Sequence, residues 1–322
     1  MGVEKEEIII SVSHEEDIDG IASSSIILRF IGLDYLFLTN YHLSKWRYFT
    51  ERVKRLCSEF RGKSIKVRIY ITDLNLKPFM IRSLDNSLSE CPLKEIYWID
   101  HHKWDSESID LVNSLGYFIV YGDKNFSATE NLVNYLNVSE DPVASVLAHL
   151  SRDSDFGLMK HILTQPLTNV IRYIVYVSKN KLLLKKLVKK FSRGVLWDPE
   201  IDSIWINSIK SINNALEETL RSIRFVEINN KRILFASANP VLSSKLILGN
   251  ISDIKFDLAV MIYTNGSVTI SRGRDDIDCS VIAKAMGGGG HEHIAGAQIN
   301  PRIARDFDKA ITMIVEKIRY YI

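Results

Sequence analysis

Asp100-His101-His102 gathers a carboxylate and two imidazoles within three positions, directly after Glu95-Ile96-Tyr97-Trp98-Ile99. Those β-branched and aromatic residues predict a short strand. Side chains alternate along a strand, so the two histidines are expected to diverge, one toward each side of a site. Three more clusters carry similar chemistry. His14-Glu15-Glu16-Asp17-Ile18-Asp19-Gly20 follows an apolar run over 8–12, and Asp73 follows Arg68-Ile69-Tyr70-Ile71-Thr72. Arg152-Asp153-Ser154-Asp155 closes a predicted helix over 143–150. Any one of these alone reads as an ordinary polar turn. Several carboxylates converging at element ends repel one another unless a cation neutralises them. Carboxylate and imidazole ligands without thiolate suit Mn²⁺, Mg²⁺ or Fe²⁺ rather than structural zinc.

The elements that must position these groups alternate. Strands are expected over 8–12, 35–38, 66–71, 95–99 and 117–121. Helices are expected over 21–30 and 45–60, from Pro78, and from the capping box Ser127-Ala128-Thr129-Glu130 to Leu136. Strand–helix alternation at this spacing predicts an α/β domain, a mostly parallel sheet with helices on both faces. Ligands bind such sheets at the carboxyl ends of the strands, where the acidic clusters fall. The texture changes near residue 178. A basic amphipathic helix over 181–191 turns Lys185, Lys186, Lys189 and Lys190 outward, and a second helix over 199–221 packs down through Trp197 and Trp205. Strands over 232–236, 256–263 and 267–271, a helix over 280–286, a glycine run and a final helix over 303–322 then predict a smaller α+β unit. The expected division is 1–177 for the metal-binding domain, 178–222 for a helical connector and 223–322 for a substrate-binding domain.

Composition bounds the reading. With 322 residues, 46% of them hydrophobic, the chain can build two cores. A net charge of +2 gives no global field for nucleic acid, so such a ligand would need locally concentrated charge. Cys57, Cys91 and Cys279 are scattered and odd in number, which argues against a disulfide framework and suits a reducing, cytoplasmic setting. No apolar run is long enough for a bilayer.

The series His14/Asp17/Asp19, Asp73, Asp100-His101-His102 and Asp153 resembles the four motifs of the DHH phosphoesterase superfamily. Gly287-Gly288-Gly289-Gly290-His291, followed by Ala295-Gly296, resembles the signature of the DHH-associated C-terminal domain. That pairing is typical of RecJ-like nucleases, nanoRNase-type oligoribonucleases, archaeal DHH nucleases and cyclic-dinucleotide phosphodiesterases. The resemblance implies two divalent ions, Mn²⁺ ahead of Mg²⁺. His14, Asp17 and Asp73 would hold one; Asp19, Asp73, His101 and Asp153 would hold the other, with Asp155 competing for the last place. His102 would face the scissile phosphate, and Asp100 would orient the histidines. Ile294 stands where the family usually has Ala, and Glu15-Glu16 adds charge beside the site.

Four glycines in a row suit either a flexible linker or backbone N–H groups set against a phosphate, and the His291 that follows favours the second. Gly288, Gly289, Gly290 and His291 are therefore expected to bind substrate, with Arg272 or Arg274 presenting a guanidinium to phosphate. The function implied is a two-metal phosphodiesterase whose substrate lies between the domains. Single-stranded RNA, DNA or short oligonucleotides would be cut, as a 3′ to 5′ exonuclease releasing mononucleotides. A phosphodiesterase for cyclic or linear dinucleotides is the alternative, and a non-catalytic replication or scaffold protein the contrast from another class. A homo-oligomer and a nucleic-acid-processing protein partner both stay open.

Overall fold

Ile8, Ile10 and Val12 alternate with Ile9, Ser11 and Ser13 along the first strand, and the alternation assigns each set to one face of a sheet. The computed structural model describes residues 6–40 and 43–322. The chain divides into two compact units, residues 1–205 and 206–322. In the first, strands β1 (Glu7–His14), β2 (Tyr35–Thr39), β3 (Lys66–Thr72), β4 (Leu93–Ile99) and β5 (Phe118–Tyr121) run in the order β2-β1-β3-β4-β5, every pair parallel. The order reverses direction between β1 and β3, the topological switch point at which such sheets bind ligands.

Helices cover both faces. Helices α1 (Ile18–Phe30), α2 (Leu43–Glu59), α3 (Pro78–Ser87), α4 (Ser106–Leu115), α5 (Ala128–Leu136), α6 (Pro142–Asp155) and α7 (Thr164–Tyr173) lead to a π-helical turn, Ile174–Ser178. Then come α8 (Lys181–Phe191) and α9 (Pro199–Arg221), the latter spanning the division between units. One core joins α1 and α5–α8 to one face; the other packs Trp46, Phe49, Met80 and Trp98 on the opposite face. Helix α1 lies unusually close to β1. Ser24 meets Ser11 at 3.0 Å and Ser13 at 2.6 Å, and a Cβ on Gly20 would stand 2.1 Å from the His14 carbonyl oxygen. Small residues at this contact bring the two ends of the His14–Asp19 segment together.

The second unit is a mixed sheet in the order β10-β11-β9-β8-β7-β6, antiparallel except for β7 with β8. Its elements are β6 (Arg224–Ile228), β7 (Lys231–Ala238), α10 (Ser244–Asn250), β8 (Leu258–Tyr263), β9 (Ser267–Arg272), α11 (Cys279–Ala285), β10 (Gly289–Gly290), β11 (Ile294–Gln298), α12 (Pro301–Ala304) and α13 (Phe307–Ile318). Asn229 and Asn230, at φ 52 and 62, turn β6 into β7 in the left-handed conformation that tight hairpins need.

Several expectations need correction. Helix α6 runs on through Asp155, so Arg152–Asp155 forms its last turn rather than a loop after it. The expected final helix breaks at Arg305-Asp306, where the Asp306 side chain caps α13. The glycine run belongs to a sheet: Gly289 and Gly290 form the edge strand beside β11. A Cβ on Gly288 would lie 2.0 Å from the Gly296 carbonyl oxygen, so close backbone approach demands glycine there. Cys57 and Cys91 form a disulfide, contrary to the reading of scattered thiols. Thirty-four residues separate them, but α2 and the turn before β4 set their Cα atoms 4.9 Å apart. Cys279 is free and buried.

Candidate metal centre

The candidate ligands of the first three clusters sit where the carboxyl end of a strand hands the chain to the next element, and those of the fourth sit in the last turn of α6. Asp17 caps α1, accepting from the Gly20 N–H at 3.1 Å, and its other oxygen meets His14 Nδ1 at 2.6 Å. His14 Nδ1 also lies 3.6 Å from Asp73 Oδ2. Asp73 leaves β3 at φ 54, a left-handed conformation that is strained for most residues and tolerated by Asp. The turn carries its carboxylate into the protein, 4% exposed, and Oδ2 has no hydrogen-bond partner.

Asp19, also buried, is held from across the fold. Its oxygens accept from the Ala128 and Thr129 N–H groups, both at 2.8 Å, and from Thr129 Oγ1 at 2.6 Å. The amino end of α5 thus supports its charge. Asp100 is fully buried; Oδ1 meets His102 Nδ1 at 2.8 Å and Oδ2 accepts from Trp104 Nε1 at 3.3 Å. With Nδ1 engaged, His102 turns Nε2 outward. Gly122, beyond β5, permits this arrangement, because a Cβ there would stand 1.8 Å from the Asp100 carbonyl oxygen.

The two histidines do not diverge. Their rings lie 4.4 Å apart between centroids, since both follow the last residue of β4 and escape strand alternation. His101 Nδ1 is 3.6 Å from Asp19 Oδ2 and Nε2 is 3.7 Å from Asp155 Oδ2. Nδ1 is buried without a hydrogen bond.

Asp153, favoured over Asp155 by its place after a helix, points elsewhere. Oδ1 accepts from the Lys160 N–H, and Oδ2 from the His161 N–H and Thr164 Oγ1. It organises the turn into α7. Because the helix continues through the motif, two positions along α6 rotate the side chain by more than half a turn, and Asp155 faces His101 instead. Glu15 and Glu16 also turn away from the cluster. Glu15 pairs with Lys45 and Lys181, while Glu16 accepts from Asn40 Nδ2 at 2.6 Å and from the Tyr176 hydroxyl.

Three groups result, each with ligand atoms within 4.8 Å of one another: His14, Asp17 and Asp73; Asp19, His101 and Asp155; and Asp73, Asp100, His101 and His102. Charge is unbalanced within them. Burial, then the Asp17 and Asp19 carboxylates, push Asp73 well above the usual carboxyl range. Burial and Asp155 lift Asp19 to about 6. Burial also works against ionised Asp17, but the charge and hydrogen bond of His14 outweigh it and hold Asp17 low. An all-oxygen-and-nitrogen donor set, crowded carboxylates and two buried polar atoms without partners fit divalent cations of the Mn²⁺ or Mg²⁺ kind.

The expected substrate-binding residues lie in the second unit. Gly288 N–H and His291 N–H are spent on Ala283 and Ile294 carbonyls, so the glycine run does not offer all its donors outward. Arg272 reaches Asp275 and Glu292; Arg274 reaches Asp257 and Asp276 and is the more exposed. His291 and His293 stack with centroids 5.6 Å apart. Sequence reasoning missed Trp104, Gly122 and Thr129, and ranked Asp155 behind Asp153. Gly122 alone left a signal, a glycine one position past a predicted strand.

Residues 237–319 match the DHHA1 domain family. No curated protein sequence matches the chain significantly. Among solved structures, the pGpG-specific phosphodiesterase PggH from Vibrio is similar at TM-score 0.53 and 12% identity, over 96% of this chain and 99% of that one. An exopolyphosphatase-related protein from Bacteroides fragilis is similar at TM-score 0.53 and 12% identity, over 98% and 94%. At such identity the likeness is one of fold.

Proposed function

We propose that this chain, a DHH-superfamily protein with a C-terminal DHHA1 domain, is a metal-dependent phosphodiesterase that cuts short single-stranded oligonucleotides, working 3′ to 5′ and releasing mononucleotides. The observation that carries the reading is the overlap of ligand groups: Asp73 belongs to two of the three, and so does His101. Such sharing suits two ions side by side. His14, Asp17 and Asp73 would hold one; Asp19, Asp73, His101 and Asp155 would hold the other.

Bound divalent ions supply a water nucleophile at neutral pH and relieve charge on the phosphoryl oxygens. The chain's own groups do the rest. Asp100 holds the His102 ring by Nδ1, so Nε2 is aimed outward as a donor to a phosphate oxygen or the leaving group. Asp19 is braced by the Ala128 and Thr129 N–H groups at the start of α5, which fix the direction of its carboxylate. In the second unit, Arg274, the exposed Gly289 and Gly290, and His291 are suited to hold a phosphate of the substrate.

A linear dinucleotide is the second reading, favoured by the likeness to a phosphodiesterase described as pGpG-specific. Digestion of end-labelled RNA and DNA of two to twenty-odd nucleotides, beside pGpG and cyclic dinucleotides, tests both with Mn²⁺ or Mg²⁺ added. Stepwise shortening from the 3′ end that stops under chelator supports the exonuclease; turnover of dinucleotides alone supports the second reading. Undiminished hydrolysis in excess chelator would falsify metal dependence.

A further inference from the structure

Glu15 is a departure that the proposed chemistry leaves unused. It is 1% exposed and directly follows His14, yet its carboxylate faces two lysines rather than the candidate ligands. Lys45 Nζ donates to Oε1, and Lys181 Nζ stands 3.4 Å from Oε2. Oε2 is buried without a hydrogen bond, so Lys181 approaches it through charge. One ammonium would neutralise this carboxylate. The second is surplus, and it sits on a side chain that is 58% exposed.

The pair stands at the same end of the sheet as the ligand groups. The Glu15 N–H donates to the Thr39 carbonyl, at the carboxyl end of β2, at 2.9 Å. Lys45 lies in the first turn of α2, and Lys181 is the first residue of α8. Neighbouring Cα atoms are about 3.8 Å apart, so the Glu15 that holds both lysines begins one residue away from the candidate ligand His14. Glu16 does not take up this charge, because Asn40 and Tyr176 hold its oxygens and the Arg172 guanidinium already acts on it. A buried carboxylate is costly to keep unless it fixes something, and what this one fixes is a pair of cations.

We infer that Lys45 and Lys181, held by Glu15, form a second phosphate site that takes the neighbouring phosphate of a substrate whose scissile phosphate lies at the metal cluster. The inference rests on the phosphodiesterase reading and adds a substrate preference to it: oligonucleotides bearing a further phosphate, such as a terminal one, over those without. Lysine suits this task as a compact point charge with several donors.

The test compares a dinucleotide carrying a 5′-phosphate with the same dinucleotide lacking it, both as KM in the Mn²⁺-loaded enzyme and as Kd by fluorescence titration. The phosphorylated form should be favoured about tenfold or more, the scale of one charge-assisted contact. Lys181→Ala and Lys181→Gln should cut that ratio toward one. Glu15→Gln should cut it as well, although it removes a negative charge, because the lysines lose their anchor. An unchanged ratio in both Lys181 variants would overturn the site, and a ratio that rises in Glu15→Gln would show an unpositioned field instead. If neither dinucleotide is hydrolysed by the wild type, the phosphodiesterase reading fails. The Kd ratio and its response to Lys181→Ala then still decide whether a phosphate binds.

Discussion

Asp73→Asn should make the metal-free protein more stable while removing its response to metal. Asp73 is buried, its Oδ2 lacks a hydrogen bond, and Asp17 and Asp19 oppose its ionisation. Asn keeps the size and tolerates the left-handed turn at φ 54, so the backbone pays nothing for the exchange. A buried polar group without a partner costs roughly 1–3 kcal/mol, more when charged. Removing the charge should therefore return about 1–2 kcal/mol, or about 2–8 °C in Tm for a unit of this size. The sign with pH follows from the raised pKa. Wild-type Asp73 takes up a proton on folding, so its penalty is full above the raised value and fades as pH falls toward the unfolded value. The gap between variant and wild type should accordingly close in acid. Mn²⁺ at a hundred times its Kd should stabilise the wild type by about 2.7 kcal/mol, and the variant far less. Scanning calorimetry after chelation, with and without added Mn²⁺ at pH 5 and pH 8, reads every term. A metal-free variant less stable than wild type, with the Mn²⁺ shift intact, would refute the reasoning.

Two further outcomes separate roles that the sequence leaves confounded. Asp155→Asn should weaken Mn²⁺ binding with little change in metal-free Tm. Asp153→Asn should lower Tm by about 1–3 kcal/mol equivalent, since it disturbs three hydrogen bonds into the turn before α7; isothermal titration beside calorimetry reads both, and reversed effects would restore Asp153 as the ligand. Replacing Cys57 and Cys91 by Ser should cost about 3–4 kcal/mol, the loop-closure entropy for a separation of 34 residues. Urea unfolding of the oxidised wild type against the double variant measures it, and coincident curves would mean the bridge does not form in solution.

The sheet was legible because its strands advertise themselves. Residues 8–12, 66–71 and 95–99 are rich in β-branched and aromatic residues, and the structure extends the first at both ends, the second only past Ile71 and the third only before Glu95. Carboxylates at strand ends were legible for the same reason: the end of an apolar run fixes where the side chain must sit. The helix end at Asp155 was not, because Ser154 and Asp155 favour turns as readily as a last helical turn, and only packing on α7 and His101 decides. The histidine rings defeated strand periodicity by lying two and three residues past the end of β4. The disulfide escaped because pairing depends on where α2 ends relative to the turn before β4, a distance that no local pattern records. Strands β6 and β11 were missed for lack of contrast: one, Arg224-Phe-Val-Glu-Ile228, sets two charges among three apolar residues without alternation, and the other is Ile294-Ala-Gly-Ala-Gln298.

The interior position of β1 bears on how the site comes into being. Strand β1 pairs with both β2 and β3, so its ladders are complete only once the chain through residue 72 is available. Such non-local parallel pairing forms slowly. The carboxylates at the site come from four separate stretches, residues 17 and 19, 73, 100 and 155, which are far apart in an unfolded chain and free of one another's charge. Their mutual repulsion is therefore a property of the finished domain, arriving with the last steps of assembly. Divalent cation should consequently slow unfolding of the completed domain while leaving the early pairing of β1 unhurried.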